Sequence, residues 1–176
     1  MRVIRSVSID EIEDHLESLG NCNHSDNMGR VREHPFHALV ELDESDFGNL
    51  VFLANSTVRP ICPCMGDRRL RKVAECALEK LKAGNGYLGA NWDLAKVAEK
   101  SSAFLRDNEA ACLPTLVLRD LRGSERKIPD ARWYLQDGCH RALGYSMKVL
   151  EGEAVYSKQT AFVATAGEKF SQAATS

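Results

Sequence analysis

The chain has 176 residues, with a formal net charge of −2 at neutral pH, 44% hydrophobic residues and 27% charged residues. That length suits one well-buried domain and would crowd two, so residues 1–176 are expected to form a single domain. The slightly acidic balance argues against a sequence-independent nucleic-acid binder, which normally carries a basic excess, and no apolar run approaches membrane-spanning length.

The opening Met1-Arg2-Val3-Ile4-Arg5 lacks the apolar core of an export signal. This points to a cytoplasmic protein whose six cysteines are reduced thiols rather than a disulfide framework. Arg2 to Val7 reads as a strand. Ser8 then precedes a helix over Ile9 to Leu19, with Glu11 three residues on in the capping-box pattern and Gly20 as the stop. Residues 20 to 35 are polar and read as a loop.

Phe36 to Leu42 and Leu50 to Ala54 read as two strands, and the acidic Asp43-Glu44-Ser45-Asp46-Phe47-Gly48 between them suggests a hairpin-like pair. Pro60-Ile61-Cys62-Pro63-Cys64 cannot be regular structure. Arg68 to Lys82 places Leu70, Val73, Ala74, Ala77, Leu78 and Leu81 at amphipathic-helix spacing, ending at Ala83-Gly84-Asn85-Gly86. A further helix spans Asp93 to Leu105, with Leu94, Val97, Ala98, Ser101 and Leu105 on one side. A strand over Leu116 to Leu118 leads into a charged turn, Arg122 to Arg126. Ala154 to Val163 closes the sheet, and the small, polar tail from Thr165 is expected to fray.

The most informative stretch is Trp133-Tyr134-Leu135-Gln136-Asp137-Gly138-Cys139-His140-Arg141-Ala142-Leu143-Gly144-Tyr145. An apolar run meets an Asp-Gly break and continues as a helical segment towards Leu150: a strand, a tight turn and a helix, with Gly138 at the turn. A helix starting there aims unpaired N–H groups and its positive dipole end at whatever lies above the strand. Two basic residues, His140 and Arg141, in that first turn suit a bound anion, so the combination reads as a phosphate site.

Gly138-Cys139-His140-Arg141 at a strand-to-helix turn resembles the signature of sulfiredoxin, and the wider Asp-Gly-x-His-Arg form resembles the ParB/sulfiredoxin-like superfamily, which includes ATP-dependent small-molecule kinases. The order upstream is similar too: Asp93-Leu94-Ala95-Lys96-Val97 opens a helix, and Leu113-Pro114-Thr115-Leu116-Val117-Leu118 follows as a strand. The likeness covers about residues 90–165.

It implies an α/β fold, a small mixed sheet flanked by helices, with residues 1–89 supplying the first strand and an elaboration. It also implies ATP with Mg2+ as cofactors. His140 and Arg141 would be the phosphate clamp, with Gly138, Lys96 and Ser101 or Ser102 also contacting the nucleotide. Cys139 would be a nucleophile in a reductase. A thiol at a helix N-terminus beside cations has a lowered pKa, which would suit that role. Asp137 stands where sulfiredoxin has Gly and fits the kinase-like branch, where it would hold Mg2+ or orient the clamp.

The implied activity is phosphoryl transfer to a small hydroxyl-bearing acceptor. The alternatives are reduction of a sulfinylated protein and a nucleotide-responsive ParB-like module. DNA binding is the weakest of these, since no helix-turn-helix follows the signature. A kinase needs a carboxylate base, sought among Glu41, Asp43, Glu44, Asp46 and Asp67. Cys22, His24, Cys62 and Cys64 have zinc-ligand chemistry, but Cys-x-Cys and Cys-x-His spacings are atypical of zinc fingers, so buried or loop thiols are the expectation. His34 and His37, flanking Pro35-Phe36, read as ordinary surface or packed histidines.

Overall fold

The computed structural model describes residues 1–18, 24–53, 58–62, 67–89, 93–99, 116–120, 128 and 131–167, with only the backbone for 24–27. Its elements run β1 (Arg2–Ser6), α1 (Ile9–Ser18), α2 (His24–Arg32), β2 (Phe36–Leu42), α3 (Glu44–Gly48), β3 (Val51–Phe52) and α4 (Leu70–Lys82). A helical segment α5 over 94–99 follows, then β4 (Val117–Asp120), β5 (Trp133–Asp137), α6 (Cys139–Leu150) and β6 (Gln159–Thr165).

The strands form one six-stranded mixed sheet in the order β1-β2-β6-β4-β5-β3. The β1–β2, β2–β6 and β4–β5 pairs are antiparallel, whereas β6–β4 and β5–β3 are parallel. The chain is therefore a mixed α/β protein, as its sequence pattern leads one to expect.

Alternation along the strands builds two packed faces. Ala38, Val40, Leu42, Leu118, Leu135, Ala161 and Val163 join the main core with α4, α5 and α6. Val117, Phe162 and Ala164 point the other way and meet Ile12 and Leu16 of α1 and Met28 and Val31 of α2. Helices thus cover both faces of the centre of the sheet.

Both sheet edges are blocked. In β1 the register slips between Val3 and Arg5, and Arg2 and Arg5 are exposed. On the other side Arg68 and Arg69 run beside β3: Phe52 N–H donates to Arg68 O (3.0 Å), and Val51 bridges Arg69. This extended pairing is why α4 begins at Leu70 rather than Arg68.

Several expectations are corrected. Residues 24–32 are helical, not loop, because Met28 and Val31, one helical turn apart, reach the core under α1. The Asp43–Gly48 stretch is no hairpin turn. Asp43 caps α3, its Oδ1 accepting the Asp46 N–H at 2.8 Å in a capping box, and β2 and β3 lie far apart in the strand order.

The last strand begins at Gln159, not Ala154, and Thr165 is its fully buried final residue rather than a frayed tail. Ser8 does cap α1, its Oγ accepting the Glu11 N–H at 3.1 Å. The expected Arg122–Arg126 turn, Leu113 to Thr115 and the C-terminal part of the Asp93–Leu105 helix lie outside the described residues.

Candidate functional site

At the carboxyl end of β5, Tyr134 and Leu135 are buried and Asp137 is half-buried. Gly138 follows at φ 83°, ψ 14°, in the left-handed region where a side chain would be strained. The chain then turns straight into α6, whose first helical bond runs from Ala142 N–H to Gly138 O at 2.9 Å. No side chain caps this helix and its first turn holds no acid, so no acidic residue within the helix offsets its positive dipole end. Asp137 Oδ1 accepts the Gly138 N–H at 2.7 Å, which places one carboxylate beside the turn. Opposite Asp137 stands Val117, where the β4–β5 register shifts before Leu118, an irregularity of the kind that re-aims strand ends beside sites.

Asp137, Gly138, Cys139, His140 and Arg141 therefore sit on one strand–turn–helix corner. His140 and Arg141 are half-buried, and each already interacts with another group of the protein. Cys139 packs against the main core, and burial, with the Asp137 carboxylate adding to it, pushes its thiol up to about 12. The expected lowering of this pKa is corrected: burial and the Asp137 carboxylate raise it, against a smaller lowering by a backbone hydrogen bond.

Lys96 lies on α5, exposed, with Nζ 3.6 Å from Asp93 Oδ2. Among the described residues no hydrogen bond or ion pair joins it to the turn. Ser101 and Ser102 lie outside the described residues.

Most of the carboxylates considered as bases have structural work. Asp43 and Asp46 cap α3, and Asp46 also pairs with the Met1 amino terminus. Glu41 takes Lys158 at 2.9 Å and Arg2 at 3.2 Å, contacts that hold its pKa below the usual carboxylate range.

Of the cysteine and histidine group, Cys22 and Cys64 and the side chain of His24 are outside the described residues. Cys62 is buried with its Sγ 3.0 Å from Cys76 Sγ on α4. No cluster of three or more metal-ligating side chains occurs among the described residues.

The sequence reading missed a cavity of about 850 Å3 between α3, the start of α4 and the far half of α6. Glu44 and Asp67 line it, together with Arg69, Arg71, Lys72 and Ser146. The basic run Arg68-Arg69-Leu70-Arg71-Lys72 was the signal available in the sequence. Scans against protein-family models, curated proteins and solved structures match nothing to this chain.

Proposed function

We propose that the Asp137–Arg141 corner binds the phosphates of ATP and that the protein transfers a phosphoryl group to a small hydroxyl-bearing acceptor, on a ParB/sulfiredoxin-like version of the mixed α/β fold. One observation carries this reading: a left-handed Gly138 starts α6 with His140 and Arg141, and no acid, in the first turn. Backbone donors and two basic side chains at a helix start suit a polyphosphate. In phosphoryl transfer catalysis is mostly positioning and charge stabilisation, and Arg141 and His140 would supply both.

Asp137 fits the Mg2+ expectation. Asp137 is the residue that would hold Mg2+, whose charge would offset the repulsion between this carboxylate and a bound phosphate. Glu41, Asp43 and Asp46 are held in structural contacts, so Glu44 and Asp67 are the first carboxylates to test as the general base.

The sulfiredoxin reading requires a nucleophilic thiolate at Cys139. A thiol held near 12 by burial is almost wholly protonated at neutral pH, which favours the kinase. A ParB-like module has no specific observation in its favour. Among the described residues no helix is long and apolar enough to cross a membrane.

The test is calorimetry with ATP and Mg2+, followed by ADP release across small hydroxyl compounds and a sulfinylated protein. Arg141→Ala should weaken nucleotide binding about tenfold or more, with circular dichroism confirming the fold. Cys139→Ser should leave a kinase active and kill a reductase. Absence of nucleotide binding in the wild-type protein would end the proposal.

A further inference from the structure

The sulfurs of Cys62 and Cys76 lie 3.0 Å apart, about 1 Å beyond the length of a disulfide bond. The two residues are 14 positions apart in sequence, so the fold makes their contact. Cys62 ends the turn over 58–62, in which the Ile61 and Cys62 N–H groups both donate to Val58 O at 3.0 Å. Val58 and Ile61 are buried in the main core and anchor that turn. Cys76 sits on α4, at the margin of the buried face that Val73, Ala74 and Ala77 form. Both thiols are thus carried by elements fixed in the core, and a small side-chain rotation separates contact from bond.

The two sulfurs differ in access. Cys62 is 1% exposed, whereas Cys76 is partly exposed. A reactant in solution reaches Cys76 first and leaves Cys62 behind it, which is the arrangement of an attacking thiol and a resolving one.

We propose that Cys62 and Cys76 are a reversible oxidation site, closing a disulfide that staples the 58–62 turn to α4 when a small organic disulfide is the oxidant. The Cys76 thiolate attacks one sulfur of the oxidant, whose S–S bond breaks, and one half leaves as a thiolate. The Cys62 thiolate then attacks the Cys76 sulfur, the S–S bond between the two residues forms, and the second half leaves. The two protons lost by the protein end on the two released thiolates, and its two electrons reduce the oxidant to two thiols. Excess dithiol runs the exchange backwards.

Burial, with the neighbouring Cys62 sulfur adding to it, holds the Cys76 thiol up to about 12. The first attack is therefore slow at neutral pH, while the second is fast because its partner is already in contact. The pair answers to sustained oxidation rather than to a brief pulse. The bond asks little movement of the native state and removes freedom from the unfolded chain, so the oxidised form is the more stable one. The site stands independently of nucleotide binding at the corner.

The experiment incubates the full chain with oxidised glutathione until its free-thiol count is constant. Bridged peptides are then mapped by mass spectrometry, and melting temperatures are compared before and after. The wild-type protein should yield a Cys62–Cys76 bridge and melt roughly 5–10 °C higher, and dithiothreitol should return the original value. Cys76→Ala, with its fold checked by circular dichroism, should leave Cys62 unbridged and show no rise. The proposal falls if both thiols of the wild-type protein stay free or carry only glutathione, or if either is bridged to a different cysteine. It also falls if the bridged protein melts no higher than the reduced one, or if Cys76→Ala shows the same rise.

Discussion

The Thr165 hydroxyl donates to Asp120 Oδ2 across 2.9 Å and so ties the last residue of β6 to the last residue of its parallel neighbour β4. The same carboxylate oxygen takes Arg132 Nε at 3.1 Å, and the Asp120 side chain is only 4% exposed. A buried carboxylate that loses one of its donors keeps its charge and must find water it cannot reach. Thr165→Val should therefore cost about 1–3 kcal/mol in a urea denaturation, and Thr165→Ser should recover most of it.

Gly138 predicts differently, because its cost is local. Placing a side chain at its φ of 83° costs roughly 1–2 kcal/mol. Gly138→Ala should lower the melting temperature by that equivalent. If the corner grips phosphate, the same change should weaken ATP binding, read by calorimetry on the folded fraction.

His34 makes stability depend on pH. Both ring nitrogens are buried without a hydrogen-bond partner. Burial first, then the nearby Arg119 and His37, lowers its pKa below the ordinary 6.5, against the opposing pull of Asp120 and Glu33. A lowered folded-state pKa means that the fold prefers the neutral ring. This contribution is intact above 6.5 and is lost as pH falls through the folded-state value. His34→Leu should flatten the stability profile between about pH 7 and pH 5, since a neutral side chain has no proton to gain there. An unchanged profile would remove His34 as its source.

Two thiols should be slow to alkylate. Burial holds both Cys139 and Cys76 up near 12, with the neighbouring Cys62 sulfur adding to the effect at Cys76. Iodoacetamide at about pH 8 should label them far more slowly in the native protein than in urea, as mass spectrometry would show. Rapid native labelling of Cys139 would restore the nucleophile reading.

Much of the fold was legible because it rests on local periodicity. The apolar run of Phe36 to Leu42 named β2 to the residue, and the 3.6-residue spacing from Leu70 to Leu78 named α4. The Asp-Gly break announced the corner at Gly138 correctly. The second helix escaped because, among its described side chains, Met28 and Val31 are the core residues in a polar segment, and packing under α1 makes them decisive. Strand order was illegible for the same reason: an acidic connection between two apolar runs looks like a hairpin until α3 forms.

The site divides along that line. Which residues meet at the corner follows from adjacency in sequence, whereas the state of the Cys139 thiol depends on what covers it. The cavity is assembled from residues as distant as Ser45 and Tyr156, and Ser146 looks like any other helix position until its surroundings are known.

A sheet whose outer strands accept newcomers grows into aggregates. Here a second molecule approaching β1 would meet the guanidinium groups of Arg2 and Arg5 and a broken hydrogen-bond ladder between them. Approach from the other side finds β3 already occupied by the chain's own Arg68 and Arg69 backbone. Strand-to-strand polymerisation is thereby discouraged at both ends, which leaves the protein's surfaces for recognition to its helices and their cavities.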